Sequence, residues 1–168
     1  TPTCLQKGLF LMLEEGSITP EEFRDGIRKL TSQTITDQQI EDAWIAMLAD
    51  MPAAKLELLL ALREKYNVML LSNTNSIHWD FICRERFSYK GHVPDDYFHQ
   101  CYLSYQLGLV KPFPEIFKYV IQDAGIRPEE TLLIDDARPN CEAAASLGFK
   151  TYMPEAGEDW SHLFNISL

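Results

Sequence analysis

The sequence predicts an α/β protein: a doubly wound parallel sheet with a small helical subdomain at its start. Three observations carry that expectation. Short apolar runs, Val68-Met69-Leu70-Leu71 and Leu132-Leu133-Ile134, alternate with longer stretches of helical periodicity, the pattern of strands buried on both faces by crossover helices. Both runs stop abruptly at polar residues, Ser72-Asn73-Thr74-Asn75 and Asp135-Asp136, where open α/β sheets place their ligands. Residues 1–52 carry helix signals and no strand signal. The expected organisation is a helical part over residues 1–52 and a sheet-bearing core over residues 53–168.

Each element has a local reason. Leu5, Leu9, Phe10, Met12 and Leu13 lie at helical spacing, and Gly16 ends that run. Thr19-Pro20-Glu21-Glu22 starts a second helix, with Thr19 as N-cap, Pro20 in the first turn and Glu22 placed for a capping box. Thr36-Asp37-Gln38-Gln39 repeats the device for a third helix carrying Ile40, Trp44, Ile45 and Leu48. A helix from about Ala53 to Tyr66 leads into the first apolar run, and another spans about Ile77 to Phe87. A further strand is expected over Gln100–Ser104, and a helix over Pro114–Ala124 stopped by Gly125. The strand over Thr131–Ile134 precedes a helix over Pro139–Leu147 stopped by Gly148, and Lys150–Met153 closes the series as a strand.

Composition removes several function classes. The formal net charge of −10 opposes nucleic-acid binding, which needs clustered Lys and Arg against phosphate. No apolar run reaches the roughly 18 residues of a membrane span, so no membrane partner is expected. Cys4, Cys83, Cys101 and Cys141 lie far apart without C-x-x-C spacing. They read as buried free thiols in a reducing, cytoplasmic compartment rather than as disulfides or zinc ligands. Asn165-Ile166-Ser167 matches a glycosylation sequon but carries no weight without a secretory signal.

The chemistry-bearing residues gather at the expected strand ends. Asp135 and Asp136 are adjacent carboxylates, costly to hold side by side without a positive partner. Their hard oxygens suit Mg²⁺. The hydroxyl of Ser72, the amide of Asn73 and the first backbone N–H groups after the strand can donate to phosphate oxygens. Lys111, set between Leu109-Val110 and Pro112, is held by its surroundings and can neutralise charge in a phosphoryl-transfer transition state. His92, His99 and His162 have no ligand spacing. His78 and Trp79 follow the Ser72 stretch and could face the cleft, with a surface or packing role at a helix start the stronger expectation. Trp44, Met47 and Met51 are expected in the core of the helical part rather than in a substrate stripe. Arg138 is placed to pair with one of the acids.

Taken together, the chain resembles the haloacid dehalogenase-like (HAD) hydrolase superfamily, in its sugar- and small-phosphate phosphatase branch with a helical cap. LLSNTN is similar to the family's second motif, which implies a phosphate-binding role for Ser72 with Asn73 beside it. GLVKPFPEIF is similar to the third motif region, which implies that Lys111 stabilises the nucleophile and the phosphoryl charge. LLIDDARPNCEAAASLGF is similar to the fourth motif, which implies Mg²⁺ ligation by Asp136, with Asp135 a ligand or its orienting partner and Asn140 a supporting residue. The resemblance also implies a Rossmann-like core and assigns the N-terminal helices to the cap.

The family's first motif, a strand ending in Asp-x-Asp that supplies the nucleophile and the general acid/base, has no counterpart in this sequence. Asp95-Asp96 and Asp135-Asp136 have the wrong spacing. The resemblance thus implies that the central first strand lies upstream of Thr1, so that this chain alone is inactive and lacks part of its metal site. The activity expected of the parent is hydrolysis of a small phosphate ester, such as a sugar phosphate, through an aspartyl-phosphate. A phosphomutase or a metal-free haloacid dehalogenase of the same superfamily is the nearest alternative, and a non-catalytic binding module is an alternative of another class.

Overall fold

The computed structural model describes residues 2–164, with side chains from residue 8 onward. The elements run α1 (Pro2–Glu14), α2 (Pro20–Thr31), α3 (Asp37–Ile45), α4 (Ala53–Arg63), β1 (Met69–Ser72), α5 (Ser76–Glu85), α6 (Pro94–Tyr97), β2 (Gln100–Leu103), α7 (Ser104–Leu107), α8 (Pro114–Ala124), β3 (Leu132–Ile134), α9 (Arg138–Ser146) and β4 (Lys150–Tyr152). This is the α/β order the sequence predicts. Helices α6 and α7 escape prediction because each has four residues, too few to establish a helical period. The Asn165–Ser167 sequon and the side chain of Cys4 fall outside the described residues.

The chain divides into two compact units, the first ending at Gly108 and the second beginning at Leu109. The boundary expected at residue 52 lies inside the first. The strands pair in parallel as two two-stranded sheets, β1 with β2 and β3 with β4. Ser72 stands opposite Leu103 in one, and Ile134 opposite Tyr152 in the other. Their apolar composition predicts fully buried strands, yet β1 is only half-buried at every position and Leu132 is 39% exposed. A two-stranded pair leaves each strand one edge without a hydrogen-bonded neighbouring strand.

In the first unit, the capping boxes form as the sequence requires. Thr19 Oγ1 accepts from the Glu22 N–H at 3.2 Å while Glu22 Oε2 accepts from the Thr19 N–H at 2.8 Å. Thr36 and Gln39 exchange the same pair at 3.2 and 3.0 Å. With their starts fixed, α1 to α3 bury Leu13, Phe23, Ile40 and Trp44 against one another. Phe10 lies 4.6 Å from the Trp44 ring centroid, and Ile77 of α5 packs against the same cluster. A second cluster, Leu56, Phe87, Tyr97 and Phe98, takes in Met51 and Leu70. Met47 is not in a core at all: it is 67% exposed, just past the end of α3.

In the second unit, Ile116 and Phe117 of α8 and Ala144 of α9 are completely buried. Phe117 meets Phe149, just before β4, edge-on at 6.1 Å.

Two glycines illustrate different constraints. Gly125 adopts φ 61° with open space where a Cβ would stand, so only its left-handed backbone resists substitution. Gly16 adopts φ 67°, and a Cβ there would drive into the backbone carbonyl oxygen of Tyr105. Gly125→Ala is expected to cost about 1–2 kcal/mol. Gly16→Ala is expected to cost at least about 3 kcal/mol, because overpacking against rigid backbone adds to the same strain. Denaturant midpoints of the two variants check the difference. In the same assay, Thr36→Ala should cost about 1 kcal/mol through loss of its cap.

Candidate active site

The loop after β1 is held by groups other than the one expected to bind a ligand. Ser104, wholly buried at the start of α7, makes a reciprocal pair with Thr74: its Oγ accepts from the Thr74 N–H at 2.9 Å and donates to the Thr74 carbonyl at 3.0 Å. Asn75, also wholly buried, is the N-cap of α5, its Oδ1 accepting from the His78 N–H at 3.1 Å. These bonds hold the loop that follows Ser72, the last residue of β1, and place Asn73 between the strand and the helix start. Ser72 is half-buried, and its hydroxyl makes no hydrogen bond among the described residues. The Nδ2 of Asn75 is buried without a partner among the described residues. Such a donor costs about 1–3 kcal/mol unless an acceptor meets it.

In the second unit, the expected Lys111 and Asp135 are brought together. Lys111 Nζ donates to Asp135 Oδ2 at 2.6 Å, with side chains 9% and 6% exposed. The other oxygen, Oδ1, accepts from the Ala137 N–H and from Asn140 Nδ2, each at 2.9 Å. The local chain explains this clustering. β3 delivers Asp135 to its carboxyl end, where the Asp135 N–H still pairs with the Tyr152 carbonyl at 3.1 Å. The chain then turns at once into α9, whose N-cap Ala137 has no side-chain acceptor of its own. The Asp135 carboxylate binds instead the N–H of that N-cap residue and the Asn140 side chain of the first turn, at the positive end of the helix. The Lys111–Pro112 peptide is cis.

Burial pushes the Asp135 carboxyl upward, but the Lys111 ammonium, the Ala137 N–H and the Asn140 amide together hold it below the ordinary carboxylate value. Asp136 differs from its neighbour. It is exposed and makes no hydrogen bond or ion pair among the described residues, so its oxygens remain available. Among the described residues no three His, Cys, Asp or Glu side chains group as a metal cluster. A donor set of one open carboxylate beside one engaged carboxylate still suits Mg²⁺, which is bound through one or two carboxylates, waters and substrate phosphates.

Other expectations sort clearly. Arg138 is exposed and pairs with neither acid. It is the first residue of α9, and the short turn that wraps Asp135 onto Ala137 leaves Arg138 at the surface. Cys83, Cys101 and Cys141 are free thiols, the first two half-buried and the third buried. Burial raises all three above the ordinary thiol value, Cys101 to about 11. Sequence reasoning missed Ser104 and Asn75. The Asn75 cap had a readable signal, an Asn just before a periodic helix. Ser104 had none, since its partner lies 30 positions away.

The strand-end loops, the buried lysine–carboxylate pair and the parallel strand pairs describe a hydrolase-type α/β core. The chain belongs to the haloacid dehalogenase-like hydrolase family, whose profile matches residues 6–148. It is 40% identical over 163 residues to a D-ribitol-5-phosphate phosphatase of Bacteroides thetaiotaomicron, covering 97% of this chain and 79% of that protein. A solved HAD family enzyme of the same organism, in complex with magnesium and inorganic phosphate, is 55% identical with a TM-score of 0.91, covering 94% of this chain and 79% of that one. A variant of that enzyme, with an aspartate close to its N-terminus replaced by alanine, also binds magnesium and phosphate. It matches at 55% identity and TM-score 0.93, covering 95% and 79%.

Removing one member of a buried ion pair leaves the other charge uncompensated. Lys111→Met is expected to destabilise the fold by about 3 kcal/mol or more. Asp136→Asn, which disturbs no contact, should stay within about 0.5 kcal/mol of wild type. Equal losses in a urea titration would refute the distinction between the two aspartates.

Proposed function

We propose that the chain is the greater part of a Mg²⁺-dependent phosphatase of small phosphate esters, acting on a phosphorylated sugar or sugar alcohol, with its nucleophilic aspartate on an upstream strand. The observation that carries this reading is the Lys111–Asp135 pair with Asp136 open beside it. The likeness to a D-ribitol-5-phosphate phosphatase and to an enzyme holding magnesium and phosphate supports it, as does the relative whose altered aspartate lies near its N-terminus.

In this reading Ser72 and Asn73 donate to the phosphoryl oxygens, and the amides at the start of α5 add their partial positive charge. Lys111 neutralises charge on the nucleophile and the phosphoryl group. Asp136 holds the metal, and Asp135 fixes the lysine and the start of α9. Bound Mg²⁺ supplies charge neutralisation between the phosphate and the attacking carboxylate. The upstream aspartate forms a bond to phosphorus as the ester P–O bond breaks, and the leaving alkoxide takes a proton from the neighbouring general acid. Water then releases phosphate from the aspartyl-phosphate. The helices before residue 52 serve as the cap that selects the substrate.

With the upstream strand in place, the protein is expected to hydrolyse p-nitrophenyl phosphate in the presence of Mg²⁺ and to stop on addition of EDTA. The present chain alone should show no turnover under either condition. Lys111→Ala in the longer protein should lower kcat by about 10²–10³-fold. Metal-independent turnover, or none from the longer protein, would refute the reading.

A further inference from the structure

His78 connects two parts of the first unit through three separate contacts. It is the third residue of α5, and its backbone N–H donates to the N-cap Asn75, 3.1 Å away. Its imidazole lies flat on the Trp44 indole, ring centroids 4.9 Å apart and planes 20° from parallel. Its Nε2–H donates to the Trp44 carbonyl oxygen at 3.0 Å.

The last carbonyls of a helix have no partner within it, and Trp44 lies in the last turn of α3, which contains no basic residue. Backbone donors meet the Trp44 carbonyl only weakly and past the end of the helix: the C-cap Ala46 N–H, shared with the Asp42 carbonyl, and the Met47 N–H at 3.3 Å. The imidazole of α5 therefore adds to the last turn of α3 a side-chain donor that its own sequence does not provide. Trp44 is itself fixed, 7% exposed and packed on Phe10 and Phe23 at 4.6 and 5.2 Å. On its other side, Asn75 is completely buried and continuous with Thr74, which Ser104 clamps.

We propose that His78 is a positioning residue that couples the end of α3 to the loop after β1, so that the placement of the helical segment and of Ser72–Asn75 is set together. Its importance for activity rests on the reading of that loop as phosphate-binding, whereas the coupling itself does not. His78 touches no reacting group in this role. Its Nε2–H is committed to a carbonyl, and the opposite face of that bond is a helix end rather than a substrate.

Amide hydrogen exchange on the whole chain tests the coupling without any need for turnover. In His78→Ala, the amides of Ala46 and Met47 at the end of α3 and those of Thr74 and His78 at the loop are expected to exchange about tenfold faster, together, as one hydrogen bond's worth of local stability is lost. His78→Gln, which keeps an N–H donor of similar reach, should restore protection at both ends. His78→Phe, which keeps the stacked ring without the donor, should not. The coupling is overturned if only one end loosens in His78→Ala, or if Phe protects both ends as well as Gln does. Should His78→Ala fail to fold, the Gln and Phe variants alone decide between these outcomes. An inactive longer enzyme would defeat the phosphatase reading and leave the exchange result standing.

Discussion

A carboxylate that is 6% exposed must be surrounded by donors or not be ionised at all. Much of the second unit is arranged around that requirement at Asp135. Lys111 comes from the segment after Gly108, Asn140 from the first turn of α9, and the Ala137 N–H from the turn between β3 and the helix. One side chain therefore fixes the exit of a strand, the entry of a helix and the reach of a lysine. The cost of burying the charge is offset by three donors, one of them an ammonium, and by the helix end they share. Asp136, one residue on, takes no part, and that contrast gives two adjacent acids different chemistry.

The first unit solves a related problem by other means. There the loop after β1 is held by neutral groups, the Ser104 hydroxyl and the Asn75 side chain, both wholly buried. Neither clamp uses the Ser72 hydroxyl. Buried polar groups thus give the loop rigid support while the Ser72 hydroxyl is left unengaged among the described residues.

Most of the fold could be read from local chemistry. Thr19 and Thr36 declare helix starts, Gly16, Gly125 and Gly148 declare ends, and the apolar runs declare strands, because each signal acts within a few residues. Ser72, Asp135 and Asp136 are visible as site candidates because polar residues interrupt apolar runs at strand ends, and Lys111 because it stands between an apolar pair and a proline. What escaped depends on contacts between distant positions. Ser104 looks like the last residue of a strand until Thr74 is found against it, and Met47 looks like a core residue until α3 ends before it. Arg138 looks like a partner for the acids by its place in the sequence, but across a tight turn sequence neighbours are not spatial neighbours. The half-exposure of β1 has the same origin: composition reports how apolar a strand is, and not how many strands flank it.

The borrowed donor at the end of α3 has a consequence for how this architecture can be varied. A helical segment whose last turn is reinforced by a side chain from elsewhere is not a fully self-sufficient module. Grafting residues 1–52 onto another core would carry across Thr36, Trp44 and the aromatic cluster, but would leave the imidazole at position 78 behind. A recipient without an equivalent donor would receive α3 with only its own backbone bonds at that end, so the unit of exchange between such proteins is the helical segment together with the first turn of α5.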